Sequence, residues 1–291
     1  MHITLVHNPL AGNADLGAAQ LVRILTKAGH SVTYVSSREK YLGRALQAAT
    51  DMVVAAGGDG TVTKVVTRLN PGCPVAILPT GGANNIAKSL GAFRSLGELI
   101  SSWPAGLERP FHLLAAQGPW GKCRIVEGLG SGALLHAIES MKGQKPTAIS
   151  VRKVIRHVLQ EMIPDEFQIY FDAESITGRF LILDVMNIPL AGPNLLLAPN
   201  ANPSDQTFEI CGLEPGDDER RRFSEWLTDS ERYDAPAPIS VRGVQRLTIV
   251  GRFHKVRLND DIWTDEEGAA RDREISVKAE TQPIHFLVPG N

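Results

Sequence analysis

Across residues 2–103 short apolar runs alternate with segments whose apolar residues recur every three or four positions. The runs 2–8, 31–36, 51–56 and 74–79 are brief and bounded by turn residues, which predicts buried strands. Between the first two, Leu21, Val22, Leu25 and Ala28 share one face of a helix predicted from Asp15 to Ala28. The same spacing predicts helices near 40–49, 61–69 and 83–90. A further helix over 93–103 carries Leu96, Leu99, Ile100 and Trp103. Buried strands separated by helices predict a parallel sheet with helices on both faces.

After Pro104-Ala105-Gly106 the pattern changes. Strands are predicted at 110–117, 122–127, 167–176, 179–187, 194–198, 207–213, 244–250, 254–263 and 273–279, without regular helices between them. Several alternate, as in Lys255-Val256-Arg257-Leu258. This predicts a β-rich, mostly antiparallel second domain. Two helices interrupt it. One covers 147–162 and mixes apolar with basic residues, Arg152, Lys153, Arg156 and His157 among them; the other covers 217–228, from Asp217-Asp218 past Trp226. The expected organisation is therefore an α/β domain over 1–106 and a β-rich domain over 107–291, whose last strand is free to pack back on the first.

The chain has 291 residues, enough for two domains of ordinary size. With 43% hydrophobic and 21% charged residues it has the composition of a soluble globular protein. A net charge of −2 gives no broad nucleic-acid footprint. Cys73, Cys123 and Cys211 are far apart and odd in number, which suggests a reducing compartment and core roles rather than disulfides or a zinc site. No apolar run is long enough to span a membrane. No secretory leader is legible, so the expected location is cytoplasmic.

Candidate chemistry sits where predicted strands end. Gly57-Gly58-Asp59-Gly60-Thr61 directly follows the apolar run Met52–Ala56. Glycines let a backbone close on a polyphosphate, since they lack a Cβ and accept positive φ. The amides of such a turn form an anion cradle, and a following helix adds its positive end. One carboxylate, Asp59, stands among them. A carboxylate there holds a metal ion or takes a proton, and phosphoryl transfer uses both. The plainer reading is a tight strand-to-helix turn. The string matches neither the P-loop nor the dinucleotide glycine pattern.

The G-G-D-G-T string resembles the nucleotide site shared by diacylglycerol kinases, sphingosine kinases and NAD kinases. Residues 78–91, LPTGGANNIAKSLG, are similar to the P-x-G-T-x-N-D-x-A-x-x-L-G block of bacterial diacylglycerol-type lipid kinases. Pro79, Gly81, Asn84, Ala87, Leu90 and Gly91 match. Gly82 departs from the usual Thr, and Asn85 from the frequent Asp. ITLVHNPLAG at 3–12 resembles the family's N-P-x-x-G through Asn8, Pro9 and Gly12.

The resemblance implies a nucleotide-binding α/β domain, a β-rich substrate domain and an active site in the cleft between them. It implies ATP and Mg²⁺ as cofactors. Nucleotide contacts would come from Asn8, Pro9, Gly12, Gly57, Gly58, Gly60, Thr61, Gly81, Gly82 and Asn84, with Ser36 and Ser37 at the end of the second strand. Asp59 would serve as general base or through a metal ion. Glu127, Gly128 and Gly130, with Asn85, would meet the substrate; Glu127–Ala133 resembles a glycine-containing turn of the family, or is a plain strand-to-helix turn. Asp205, at the family's D-D-G position, is a metal candidate. The family's late D-G-E triplet aligns with Asn259-Asp260-Asp261, making Asp261 the acidic partner in direct register and Asp260 after a one-residue slip; a polar hairpin turn is the plainer alternative.

The function so implied is an ATP-dependent kinase acting on a hydroxyl of a diacylglycerol-like or sphingoid lipid. Its partner would be lipid at the membrane surface, visited from the cytoplasm without a transmembrane segment. A homodimer is left open. Two alternatives stand beside it: a non-catalytic relative that binds nucleotide or lipid, and a kinase for a soluble substrate such as NAD.

Overall fold

The computed structural model describes residues 1–12, 16–49, 51–70, 72–143, 147–229, 234–266 and 271–290. The predicted helix start at Asp15 lies outside the described residues. The chain forms two compact units: Met1–His112 joined by the chain from Thr281 onward, and Leu113–Glu280.

The first unit contains β1 (His2–His7), α1 (Ala18–Lys27), β2 (Ser31–Ser36), α2 (Leu42–Gln47), β3 (Met52–Gly57), α3 (Asp59–Val66), β4 (Val75–Pro79), α4 (Asn85–Ser89), α5 (Leu96–Ser102) and β5 (Leu107–Phe111). Its sheet runs β2-β1-β3-β4, then the chain's last strand, Ile284–Val288, then β5. The first four strands are mutually parallel. The last strand runs parallel to β4 and antiparallel to β5. All six residues of β3 are buried, as an unbroken apolar run at a sheet centre must be. The edge strand β2 has no fully buried residue and alternates polar with apolar side chains. α5 starts on a capping box, Ser95 with Glu98, that satisfies its free amides.

The second unit contains β6 (Leu114–Gly118), β7 (Gly121–Ile125), β8 (Gly128–Gly132), α6 (Ala133–Ser140), α7 (Ala148–Glu161), β9 (Asp165–Phe171), β10 (Glu174–Phe180), β11 (Ile182–Met186), β12 (Leu190–Ala191), β13 (Leu195–Leu196), β14 (Phe208–Leu213), α8 (Asp217–Thr228), β15 (Ser240–Val244), β16 (Arg246–Gly251), β17 (Lys255–Leu258), β18 (Asp261–Thr264) and β19 (Arg273–Ala279); the last strand of the chain is β20. Two six-stranded antiparallel sheets form, β10-β9-β16-β19-β6-β7 and β15-β14-β11-β8-β17-β18, beside the two-stranded β12-β13. Phe167, Ile169, Ile249 and Val277 of one pack against Leu129, Val185, Phe208 and Val256 of the other. Leu134, Ile155 and Phe223 of α6, α7 and α8 join a second core with Ile182, Met186 and Leu213. The unit is therefore layered as sheet, sheet and helices.

Several predicted runs prove to be pairs of strands. Residues 110–117 break between β5 and β6. Residues 167–176 fold into a hairpin at Asp172, whose φ is 49°. Residues 254–263 fold into the β17–β18 hairpin. Residues 128–132, expected as a turn, form β8, and the helix that the strand-to-helix reading implied, though without a range, is α6.

β8 is rich in glycine for a steric reason. Asp184 on β11, Gly130 on β8 and Arg257 on β17 lie in one row across three strands. A Cβ on Gly130 would overlap the Asp184 carboxylate. Without it, the Arg257 guanidinium reaches across the strand and pairs with Asp184, both side chains buried. Burial pushes the Asp184 carboxyl up, against the pull of Arg257.

Candidate active site

Three loops converge at the carboxyl ends of β1, β3 and β4, next to the switch point where the sheet order reverses between β1 and β3. Asn8 extends β1; its N–H donates to the Ala56 carbonyl of β3 at 3.0 Å, and its own side-chain oxygen accepts from Leu10 N–H at 3.2 Å. This tight turn ends on Gly12, whose φ is 59° and whose absent Cβ would overlap the Thr80 carbonyl. The Asn8-Pro9 loop is thus seated on the loop after β4.

The loop after β3 meets the loop after β4 in the same way. A Cβ on Gly58 would stand 3.1 Å from the Gly81 Cα, and one on Gly81 would overlap Gly58. The Thr80 N–H donates to the Gly57 carbonyl at 3.0 Å. Gly57 makes room for the buried Thr61 side chain, which folds back over it. Gly60 is the second residue of α3. Gly82, by contrast, has open space where a Cβ would go. The family's Thr would therefore fit there.

Asn84 takes a left-handed conformation, φ 53°, at the entry to α4. Its side-chain oxygen accepts from Gly81 N–H at 3.0 Å, and its side-chain nitrogen donates to the Gly81 carbonyl at 2.8 Å. Both ends of the amide bond the Gly81 turn. Asn84 shapes the loop, as a turn residue does.

Asp59 opens α3 and directs its carboxylate at the first turn of α4. Ile86 N–H donates to Asp59 Oδ1 at 2.9 Å, and the Asn85 amide adds a second bond. Two helix N-termini thus share one carboxylate. Burial nevertheless raises the Asp59 carboxyl above its ordinary range, opposed by those amides and by Lys88. Lys88, whose ammonium lies 5.0 Å from the Phe93 ring, is itself pulled down by burial and up by Asp59. Lys88 and the Ile86 amide were not anticipated as neighbours of Asp59. The signal for Lys88 was its place in the Asn-Asn-Ile-Ala-Lys block.

The remaining predicted positions are spread over both units, with Asn85 beside Asp59. Ser36 accepts from Arg38 N–H at 3.3 Å, and buried Ser37 donates its N–H to the His7 carbonyl at 2.8 Å. Asn85 is buried in the first turn of α4. In the second unit Glu127 is buried, and Gly128 and Gly130 are strand residues facing protein atoms, not an open turn. The exposed Asp205 accepts from Thr207 N–H at 3.0 Å and from its hydroxyl at 2.6 Å, closing a turn. Among the described residues no three acidic, His or Cys groups gather as a metal cluster. The half-buried Asn259 and the exposed Asp260 form the tip of the β17–β18 hairpin, with φ 55° at Asn259, and Asp261 is the first residue of β18. The Asn259 side chain accepts from Val126 and Glu127 N–H at 2.8 and 3.1 Å, so it ties the β7–β8 connection in place.

A parallel sheet with glycine turns at its carboxyl ends, followed by an antiparallel β unit, defines the fold shared by diacylglycerol kinases and NAD kinases. A putative diacylglycerol kinase from Bacillus anthracis has this fold, with a TM-score of 0.75 at 16% identity, over 99% of this chain and 97% of that one. So does an NAD kinase from Archaeoglobus fulgidus solved in complex with ATP, with a TM-score of 0.56 at 14% identity, over 99% and 94%. Residues 2–116 match the family model of the diacylglycerol kinase catalytic domain. The chain is 23% identical to a diacylglycerol kinase of Bacillus subtilis over 224 residues, 72% of each chain. It is 27% identical to a probable lipid kinase YegS-like protein of Klebsiella pneumoniae over 203 residues, 67% of this chain and 65% of that protein. The similarity to the diacylglycerol kinase-like lipid kinases is thus shown by sequence as well as by motif, and the domain is that of a phosphotransferase with an alcohol group as acceptor.

Proposed function

We propose that the protein is an ATP-dependent lipid kinase, phosphorylating a hydroxyl of a diacylglycerol-like or sphingoid lipid. The observation that carries this is the mutual seating of Gly58 and Gly81, with Asp59 immediately behind them. A side chain on either glycine would push the two turns apart, so the pair holds the loops after β3 and β4 together beside the N-terminus of α3. Glycine turns at a helix N-terminus suit a triphosphate. The N-terminus of α3 begins at the same point and carries no side-chain cap.

The donor set fits Mg²⁺ only as a phosphate-borne ion. Mg²⁺ uses one or two carboxylates and completes its shell with phosphate oxygens and water, and Asp59 supplies one such carboxylate. When bound, Mg²⁺ would offset charge on the transferring phosphate. Asp59 is suited to accept the proton of the attacking hydroxyl, because burial makes its carboxylate a stronger base. Lys88 opposes that rise. No helix among the described residues is long and apolar enough to cross a membrane. The lipid would therefore be met at the membrane surface, from the cytoplasm.

Transfer of labelled phosphate from ATP to diacylglycerol, a sphingoid base, a long-chain alcohol and NAD tests the assignment. A phosphorylated lipid is expected, with Asp59→Asn reducing its rate by about 10²-fold or more. Phosphorylation of NAD alone would make this a soluble-substrate kinase. ATP binding with no phosphorylated product would make it a binding protein.

A further inference from the structure

We propose that the exposed face of the β10-β9-β16-β19-β6-β7 sheet is a binding site for a phosphate-bearing anion. The groove there has a volume of about 680 Å³ and lies wholly within the second unit. It is independent of the glycine turns and of the kinase assignment.

Two neighbouring rows of side chains build it. In one, Tyr170, Thr248, Ser276, Gln117 and Lys122 stand opposite one another across five strands. In the next, Arg246, Lys278, Ala115 and Arg124 do the same across four. The small residues Thr248, Ser276 and Ala115 occupy the middle and the long ones surround them. That size pattern makes the face concave.

The charges are unbalanced. Arg124 is held by Glu280 through two bonds, 2.8 and 2.5 Å, and Asp172 also lines the groove. Arg246, Lys278 and Lys122 make no ion pair with a described residue. Arg246 and Lys278 are direct cross-strand partners. Like charges so placed are destabilising, and nothing in the fold requires them. A bound anion would reverse the sign of that interaction. The chain as a whole carries −2, so this concentration of cations is local.

The hydroxyls of Thr248 and Ser276 and the amide of Gln117 lie beside the cations. Together they offer the many convergent donors that phosphate oxygens take up. The volume falls in the range of small-molecule sites and exceeds what a single phosphate fills. The ligand class is accordingly a phosphate ester, either free in solution or presented as the head group of an anionic phospholipid.

Lysine acetylation of the full chain, followed by mass spectrometry, reads the groove locally. Pyrophosphate is one probe, with sodium chloride at matched ionic strength as its reference. Vesicles of phosphatidylcholine with and without phosphatidylglycerol are the other. Lys122 and Lys278 are expected to react about tenfold more slowly once pyrophosphate exceeds its dissociation constant about tenfold. The exposed Lys153 on α7 should be unaffected. Protection by pyrophosphate without protection by phosphatidylglycerol vesicles identifies a soluble ligand, and protection by the vesicles identifies a head group; either upholds the site. No protection from either probe, or equal protection by chloride, overturns it. Lys278→Gln should abolish protection of Lys122 while leaving the urea midpoint unchanged or higher. A lower midpoint with protection retained would show that Lys278 serves the sheet and not a ligand.

Discussion

Burial holds the Asp59 carboxyl above the ordinary carboxylate range, so ionising it in the folded chain costs stability. The folded state then binds the proton more tightly than the unfolded state. Stability contributed by the protonated form is present at low pH and declines as pH rises from the unfolded carboxylate pKa through the raised folded one. Asp59→Asn removes that decline while keeping an oxygen for the Ile86 amide. Its urea midpoint at neutral pH should equal or exceed the wild-type value, and its pH profile between those two pKa values should be flatter. A variant less stable at neutral pH would mean the carboxylate charge holds α3 to α4. Gly82 gives a second residue-level test. With room for a Cβ and no positive φ, Gly82→Thr should be tolerated and should raise stability by about 0.4–1 kcal/mol through the unfolded chain, as a denaturation series would read. The glycines that do touch a neighbour, Gly12, Gly57, Gly58 and Gly81, were legible because each meets a steric demand tied to a turn. The use of Asn84 was legible only as a turn residue. That both ends of its amide close on Gly81 depends on three-dimensional geometry that spacing alone leaves open.

At the scale of elements, strongly periodic or wholly apolar segments were legible and polar or glycine-rich ones were not. β3 and β4 read as buried strands because their environment is uniform. β8, Gly128-Leu129-Gly130-Ser131-Gly132, read as a turn because glycine is weak evidence for a strand. Its glycines answer to atoms far away in sequence, the Asp184 side chain for Gly130 and the 181–185 backbone for Gly128 and Gly132, which no local window contains. The hairpin at Asp172 was merged into a single strand, since a turn of two residues hardly interrupts the alternation, whereas at Asn259-Asp260 the polar hairpin turn was one of the readings left open and is the one found. The buried pair across β8 makes the cost of this arrangement measurable. Arg257→Met would leave the Asp184 carboxylate buried without its cation, which typically costs about 3–5 kcal/mol. Chemical denaturation should show that loss at neutral pH. It should shrink as acid protonates Asp184, because the neutral acid needs no counter-charge. A loss that is the same at all pH values would point to packing alone.

At the scale of the whole molecule, the chain leaves the first unit at His112, builds the second, and returns for β20. The run Ile284-His285-Phe286-Leu287-Val288 alternates like any half-buried strand, so its local pattern names no partners. It is nevertheless the fifth of the six strands of the first unit, between β4 and the edge strand β5. Ile284 and Phe286 are 1% exposed, and the Phe286 ring lies 5.3 Å from that of Phe111. Deleting the strand opens both neighbouring edges of the sheet and removes two large core side chains. Each such side chain typically contributes about 2–5 kcal/mol, and a domain holds only about 5–15 in all. A chain ending at Glu280 should therefore lose the first unit and keep the second, whose sheets contain no residue beyond it. Hydrogen exchange separates the two outcomes. Amides of β1, β3 and β4 should exchange as in an unfolded chain, while those of β11 and β14 stay protected. Protection retained in β3 would mean that the parallel strands β2-β1-β3-β4 and their helices fold without the returning strand.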